Sequence, residues 1–210
     1  MKNMCGRISQ KGRREDFKEF IYKFDPPEDL FRPNIKPTQN VQIVINDADD
    51  DAQTVAAKWW FQKEGAKEFS TEYTTFNASA EKLEKSFLWR GAFHKRRCIV
   101  PVTSFYEWNV KGEPPLEIGL PENDRPFALA GLWSNFHMDG EHKFSFTIIT
   151  TDPNDFMKPI HRRMPVVLGG LGDQEKWLKA GGIDMLLPYE GELVANKLGE
   201  SLEKLFPVEK

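Results

Sequence analysis

Apolar residues recur along this chain in two rhythms. Phe17, Phe20, Ile21 and Phe24 fall at i, i+3, i+4 and i+7, the spacing of one helix face, and predict an amphipathic helix over Arg13–Phe24. Pro26 and Pro27 end it, because a proline nitrogen carries no proton for the next helical bond. Elsewhere the apolar runs are short and rich in β-branched residues: VQIVI, QTVAAKWW, CIVPVTSFYEW, PFALAGLW, FSFTIITT and MPVVL. Runs of this kind, separated by Pro or Gly, predict strands. The acidic stretch Asn46–Asp51 predicts a solvated turn between the first two. Two more helices are predicted, around Ala80–Trp89 just after Asn77 and over Asp173–Lys179. In the tail after Pro188, which reads as peripheral, GELVANKLGESLEKLF predicts a last helix. Strands outnumber helices and do not alternate with them. The predicted fold class is therefore α+β, a single compact domain with a mainly antiparallel, barrel-like β core and a few peripheral helices.

Composition narrows this picture. The chain has 210 residues, a length suited to one domain, with 40% hydrophobic and 29% charged residues. No apolar run approaches the roughly 18 residues of a membrane span. The start, MKNMCGRISQ, lacks the apolar segment of a secretory signal, so the expected location is the cytoplasm. Two cysteines, Cys5 and Cys98, do not suggest a disulfide framework. The formal net charge of −3 means that any affinity for nucleic acid must come from a local basic patch. The densest patch is Arg90, His94, Lys95, Arg96 and Arg97. It reads either as a phosphate track, with Trp59, Trp60 or Trp108 stacking on bases, or as a solvated charged face with those tryptophans in the core.

Several residues are candidates for chemistry. A free thiol has a pKa of roughly 8.5, lowered by nearby positive charge, and Arg7 stands close to Cys5. A cysteine at the very start of a chain also offers an α-amino group with a pKa of roughly 7.7–8.0. Such a residue can capture an aldehyde twice, first by the amine as a Schiff base and then by the thiol as a five-membered thiazolidine. An internal cysteine cannot, because its nitrogen is an amide, and it is commonly a small buried hydrophobe. His161, at the entry to an apolar run and directly before Arg162 and Arg163, is either a proton shuttle or a surface histidine bonded to backbone. Glu107, between Tyr106 and Trp108, is either a carboxylate with a raised pKa or an exposed residue on an alternating strand. Asn77 could orient a reacting group or cap the helix after it. The spacings His94-x3-Cys98 and His137-x4-His142 come without a Cys-x-x-Cys or His-Glu-x-x-His, so neither a metal nor a cofactor is expected.

Taken in order, these segments form a series: Met-Cys-Gly-Arg near the start, PNIKPTQ, KWWFQ, FNASAE, CIVPVTSFYEW, AGLW, FTIITT and IHRRMPVVL. The series resembles the SRAP family, the SOS response-associated peptidases or abasic-site processing proteins, from about Met4 to Leu168. The resemblance implies a compact α+β fold with a barrel-like core. It also implies covalent capture of an abasic site in single-stranded DNA by an N-terminal cysteine, exposed when the residue before it is removed. By position Cys5 is then the nucleophile, Asn77 holds the cysteine and the opened sugar, Glu107 is the general acid/base of crosslinking and reversal, and His161 assists Schiff-base formation. Arg7 and Arg163 match positions that contact DNA phosphates, and Pro37, Trp59, Trp60 and Trp108 shape the DNA cleft. The implied protein is a monomer of a bacterial or phage-like cytoplasm, associated with the nucleoid, with peptidase (autoprocessing) and lyase-like activities.

Two departures from the family pattern stand out. Ser79 occupies a position where the family has arginine, which removes a phosphate contact that Lys82, Lys85 or Arg90 could replace. The chain also reads Met1-Lys2-Asn3-Met4 before Cys5, so a thiazolidine requires either a start at Met4 or cleavage after it. Two other functions fit the same residues. A cysteine peptidase acting on other proteins would use Cys5, His161 and Asn77 without a free N-terminus. A non-catalytic single-strand binding module would use the aromatic and basic residues alone.

Overall fold

The computed structural model describes residues 6–20, 28–47, 49–109, 113–122, 125–198 and Lys204. Its elements, in chain order, are β1 (Ile8–Ser9), β2 (Asn40–Asn46), β3 (Ala52–Trp59), β4 (Asn77–Ser79), α1 (Arg90–Lys95), β5 (Arg97–Val102), β6 (Ser104–Glu107), β7 (Leu116–Gly119), β8 (Phe127–Met138), β9 (Glu141–Thr151), β10 (Met164–Pro165), β11 (Val167–Leu168), α2 (Leu171–Ala180) and β12 (Val194–Lys197). Short 3-10 turns occur between them, at Arg14–Phe20, Glu28–Leu30, Ala80–Lys82 and Ile183–Met185.

The architecture is α+β around a barrel. Strands β9, β3, β2, β5 and β8 pair in that order, and β8 pairs back to β9 to close the ring. Closure leaves these strands with no free edge along the ring. Every pairing in it is antiparallel except β3 with β9. A second sheet has the order β1-β6-β7-β12. Alternation along β2 turns Val41, Ile43 and Ile45 into one core, shared with Ile8 and Phe105 of the second sheet. Val44 faces the other way, into a core with Phe93 of α1 and Trp177 of α2. Gly131 sits in the barrel wall. It pairs with Cys98 on one side and Ile148 on the other, and a Cβ there would lie 2.7 Å from the Thr147 carbonyl and 2.8 Å from Cys98 Sγ.

The six predicted strand runs all carry strands, and the acidic turn closes the β2–β3 hairpin, with Asp47 Oδ1 accepting from the Asp49 and Asp51 N–H groups. The helix expected over Asp173–Lys179 is α2, longer at both ends. Four expectations change. CIVPVTSFYEW is two strands in two sheets, because the pairing passes from β8 to β7 across Thr103. The helix expected over Ala80–Trp89 is a 3-10 turn, and α1 begins only at Arg90. Ser86 explains the break: its hydroxyl accepts from the Leu88 N–H at 3.2 Å, a local bond that competes with the helical ladder. Over Arg13–Phe24 the described part is a 3-10 turn that buries Phe17 and Phe20, while Ile21, Phe24, Pro26 and Pro27 lie outside the described residues. Of the last predicted helix, over 191–206, the described part holds β12 at Val194–Lys197, drawn into the ladder by the open edge of β7, while residues 199–203 and 205–206 lie outside the described residues.

Candidate active site

The chain enters along β6. Ile8 pairs with Phe105, and the Tyr106 N–H donates to the Arg7 carbonyl at 3.0 Å. The same antiparallel register, continued by two residues, sets Gly6 opposite Glu107. Cys5, the next residue toward the N-terminus, lies outside the described residues. A Cβ on Gly6 would lie 4.0 Å from Phe76 Cε2, so the residue just before Asn77 also borders the chain start.

Alternation on β6 decides what Glu107 faces. Ser104 and Tyr106 share one face, where both hydroxyls donate to Glu117 Oε1, at 2.8 and 3.1 Å. Burial, and then the Glu117 charge, pushes the Tyr106 hydroxyl pKa far up, so it stays protonated and pins the strand. Phe105 and Glu107 share the other face. Glu107 is 2% exposed and His161 7% exposed, and His161 Nδ1 stands 4.0 Å from Glu107 Oε1. A carboxylate this deeply buried is stable only with polar partners.

His161 is held by its own turn. Its N–H donates to the Met157 carbonyl at 2.8 Å, and the Met157 N–H donates to Asn154 Oδ1 at 2.9 Å. The Arg163 backbone presents its N–H to His161 Nδ1 at 3.2 Å and its carbonyl to the same atom at 3.3 Å. Nδ1 thus faces both a donor and an acceptor of the Arg163 main chain, and which of them it bonds follows the tautomer of the ring. A protonated ring can donate from Nδ1 to the Arg163 carbonyl and gains from Glu107 beside it.

The end of β9 brings the remaining segments together. Asn77 on β4 pairs with Ile148 along one edge, and Met164 on β10 pairs with Thr151 along the other. Asn77 is thus a strand residue and not a helix cap. Ser79 is half-buried on the same strand, opposite Thr150.

The residues expected to meet DNA divide. Arg7 is half-buried, donates from Nη1 to Asn34 Oδ1 at 2.7 Å, and lies 5.8 Å from the ring centroid of the half-buried Trp108. Pro37 is half-buried, as is Trp60, which packs on Phe76 with centroids 5.2 Å apart. Trp59 is a correction. It is fully buried, donates to the Phe76 carbonyl at 2.8 Å and stacks on Phe146, so neither face is open to a base. The basic cluster also disperses. Arg90 is exposed, Arg96 pairs with Glu64 at 2.9 Å, and Arg97 donates to the carbonyls of Phe93, His94, Trp177 and Lys179. Arg97 thus satisfies the C-terminal ends of both α-helices and is not available to a phosphate.

Arg163 is occupied as well. Its guanidinium forms a fork on Glu81, donates to Asp152 Oδ1 at 2.9 Å and to the Thr150 carbonyl at 2.6 Å. Neither Glu81 nor Asp152 was singled out from the sequence, although Glu81 lies within FNASAE. Cys98 is fully buried in the barrel wall, and burial pushes its thiol pKa well up, which leaves it inert. Among the described residues no group of three or more His, Cys, Asp or Glu side chains could hold a metal. No helix among them is long and apolar enough to cross a membrane.

Fold and site thus define an α+β barrel protein with a buried carboxylate–imidazole pair beside the start of its chain. Residues 4–201 match the SOS response associated peptidase (SRAP) family, and the chain belongs to it. It is similar to the abasic site processing protein YoaM of Bacillus subtilis, with 34% identity over 206 residues, covering 90% of this chain and 88% of that protein. The abasic site processing protein HMCES of Xenopus tropicalis is 27% identical over 194 residues, covering 76% of this chain and 57% of that protein. A crystal structure of a protein from Bordetella bronchiseptica shares the fold, with a TM-score of 0.73 and 22% identity over 92% of this chain and 100% of that one. Another from Bacteroides thetaiotaomicron has a TM-score of 0.69 and 22% identity, over 96% of this chain and 93% of that one.

Proposed function

We propose that this protein senses abasic sites in single-stranded DNA and captures them through Cys5, in the form of the chain that begins with that residue. The α-amino group attacks the aldehyde carbon of the opened sugar, and the carbinolamine loses water to give a Schiff base. The thiol then adds across the C=N bond, its sulfur to carbon and its proton to nitrogen, closing the thiazolidine with one water released overall. Asn77 holds the cysteine and the opened sugar. His161 assists ring opening and Schiff-base formation, and Glu107 moves protons in crosslinking and in its lyase-like reversal. Proximity supplies much of the gain, because amine, thiol and aldehyde meet in one pocket.

The observation that carries this is the buried Glu107–His161 pair, 4.0 Å apart, next to the strand that leads to Cys5. Family membership, and the printed names of the curated relatives, support the substrate. Arg7, Trp60, Trp108 and Pro37 border the DNA path, and the exposed Arg162 and Arg90 supply further positive charge. The family match begins at Met4, which supports cleavage after Met4 as the event that exposes Cys5.

A denaturing gel with an abasic single-stranded oligonucleotide tests this. A heat-stable shifted band is expected from protein whose first residue is Cys5, and none when the leader is retained. Absence of the band with a verified Cys5 N-terminus would refute the proposal. The family name favours a second reading as a peptidase, which predicts cleavage of peptide substrates in trans by protein that retains its leader.

A further inference from the structure

The β8–β9 hairpin turns on Asp139 and Gly140, both with left-handed φ, 54° and 79°. Positive φ at both positions is what a type I′ two-residue turn requires, and such a turn fixes the register of the strands it joins. The register sets His137 directly opposite His142. The His137 N–H points away from β9 and donates to the Ala66 carbonyl at 2.7 Å. The two histidines are therefore a non-hydrogen-bonded pair, the kind that brings facing side chains closest. Their ring centroids lie 4.2 Å apart. His137 Nδ1 is enclosed, and among the described residues no hydrogen-bonding partner reaches it. A buried polar atom without a partner is a place where an ion can bind. Alternation puts Lys143, which pairs with Glu141, on the opposite face, and the next facing pair beside the histidines is Asn135 with Phe144.

We propose that His137 and His142 form a two-imidazole clip for a late first-row divalent metal ion, copper(II) foremost. Each neutral imidazole offers one lone pair, and imidazole suits copper, nickel and zinc, with copper(II) held most tightly. No carboxylate joins the pair among the described residues, so magnesium and calcium, which take oxygen ligands, are not held. A zinc–imidazole bond is about 2.0–2.1 Å long. Modest rotation of the exposed His142 ring brings one nitrogen of each ring onto a shared ion, and water completes its shell. The spacing His137-x4-His142 is no metal motif by itself, and the turn is what makes it a pair. An ion there ties the two strands together at the tip of the hairpin. The clip lies at the far end of β9 from the partners of Asn77 and Met164, on the order of 20–30 Å along the strand, and does not rest on the abasic-site chemistry.

The test uses Cys5→Ala protein, so that a free thiol neither binds nor reduces copper(II). Calorimetric titration should show a copper(II) site that is weakened in His137→Asn and in His142→Asn, and unchanged in His94→Asn. Losing even a supporting partner of a metal ligand costs roughly tenfold or more in affinity, so losing a ligand should cost at least that. Nickel(II) should bind the same site more weakly, and magnesium not at all. Copper(II) should also raise the melting temperature of the Cys5→Ala protein and not that of its His142→Asn derivative, because an ion held only by the native pair stabilises the native state. His142 is exposed, so its substitution separates lost binding from lost folding. Copper(II) held undiminished by the His142→Asn protein overturns the clip, as does the absence of any copper(II) site in the Cys5→Ala parent.

Discussion

Glu107 Oε1 and His161 Nδ1 lie 4.0 Å apart, with side chains 3% and 6% exposed. The two residues come from different sheets' surroundings, one at the end of β6 and the other in the turn before β10. A positioned acid/base group contributes about a hundred- to ten-thousandfold to rate. Glu107→Gln and His161→Ala should each slow crosslinking into that range while leaving lesion-free DNA binding intact. If the residues act as a pair, the double variant should be little slower than the worse single one. Rates that multiply instead would show two independent roles.

The two cysteines make opposite predictions. Cys5→Ala should abolish the heat-stable band. Cys98→Ala should retain it in full, since that thiol is buried in the barrel wall and held protonated. Loss of the band in Cys98→Ala, in protein of unchanged secondary structure by circular dichroism, would move the nucleophile.

Arg7 is the basic side chain at the chain start, bonded to Asn34 and lying over Trp108. If it meets a phosphate, Arg7→Ala weakens binding to all single strands alike. It should also reduce the slope of log affinity against log salt by about 0.7, the value for one phosphate contact on a single strand. An unchanged slope assigns Arg7 to packing alone.

Acid should loosen the Arg163–Glu81 fork before it unfolds the barrel. The hydrogen bond from Arg163, the main cause, holds the Glu81 carboxyl below its ordinary value of 4.5, and the Arg163 and Lys82 charges act in the same direction. A lowered folded-state pKa means that the contribution is complete above 4.5 and is lost as pH falls from there through the lowered value. The difference in urea stability between wild type and Glu81→Gln should therefore be present at about pH 7 and fade below 4.5. A difference that grows in acid would reverse the assignment.

Gly131→Ala should destabilise the protein by about 1–3 kcal/mol, the usual cost of forcing a methyl group into a closed core. The added carbon meets the Thr147 carbonyl, which is part of the sheet, and Cys98 Sγ. The double variant with Cys98→Ala should recover part of the loss in a urea titration.

The strands and α2 were legible because their signals are local: β-branched runs between breakers, and an apolar stripe. The site was legible mostly through residue order, as single residues left Glu107, His161 and Asn77 each open to a structural role. What the sequence hid was set by partners far along the chain. β12 reads as a helix until β7 offers an edge, and the division at Thr103 becomes visible only when β5 and β6 find different neighbours. Trp59 and Trp60 are adjacent and alike in sequence, but one is buried against Phe146 and the other lies on the rim. The fork pairs Arg163 with Glu81 across 82 positions, a separation at which no local pattern operates.

The closed ring, with its parallel pairing of β3 with β9, has a consequence for safety. β9 carries β4 on one edge and β10 on the other, so the Asn77 strand and the segment after His161 are brought to the same strand end by folding. An N-terminal cysteine left to itself reacts with any aldehyde it encounters. On the proposed mechanism, the groups that would hasten that reaction come from four distant stretches of chain, and an unfolded molecule lacks their arrangement. On that mechanism the integrity of the whole fold would license reactivity, and the native state would be its own quality control.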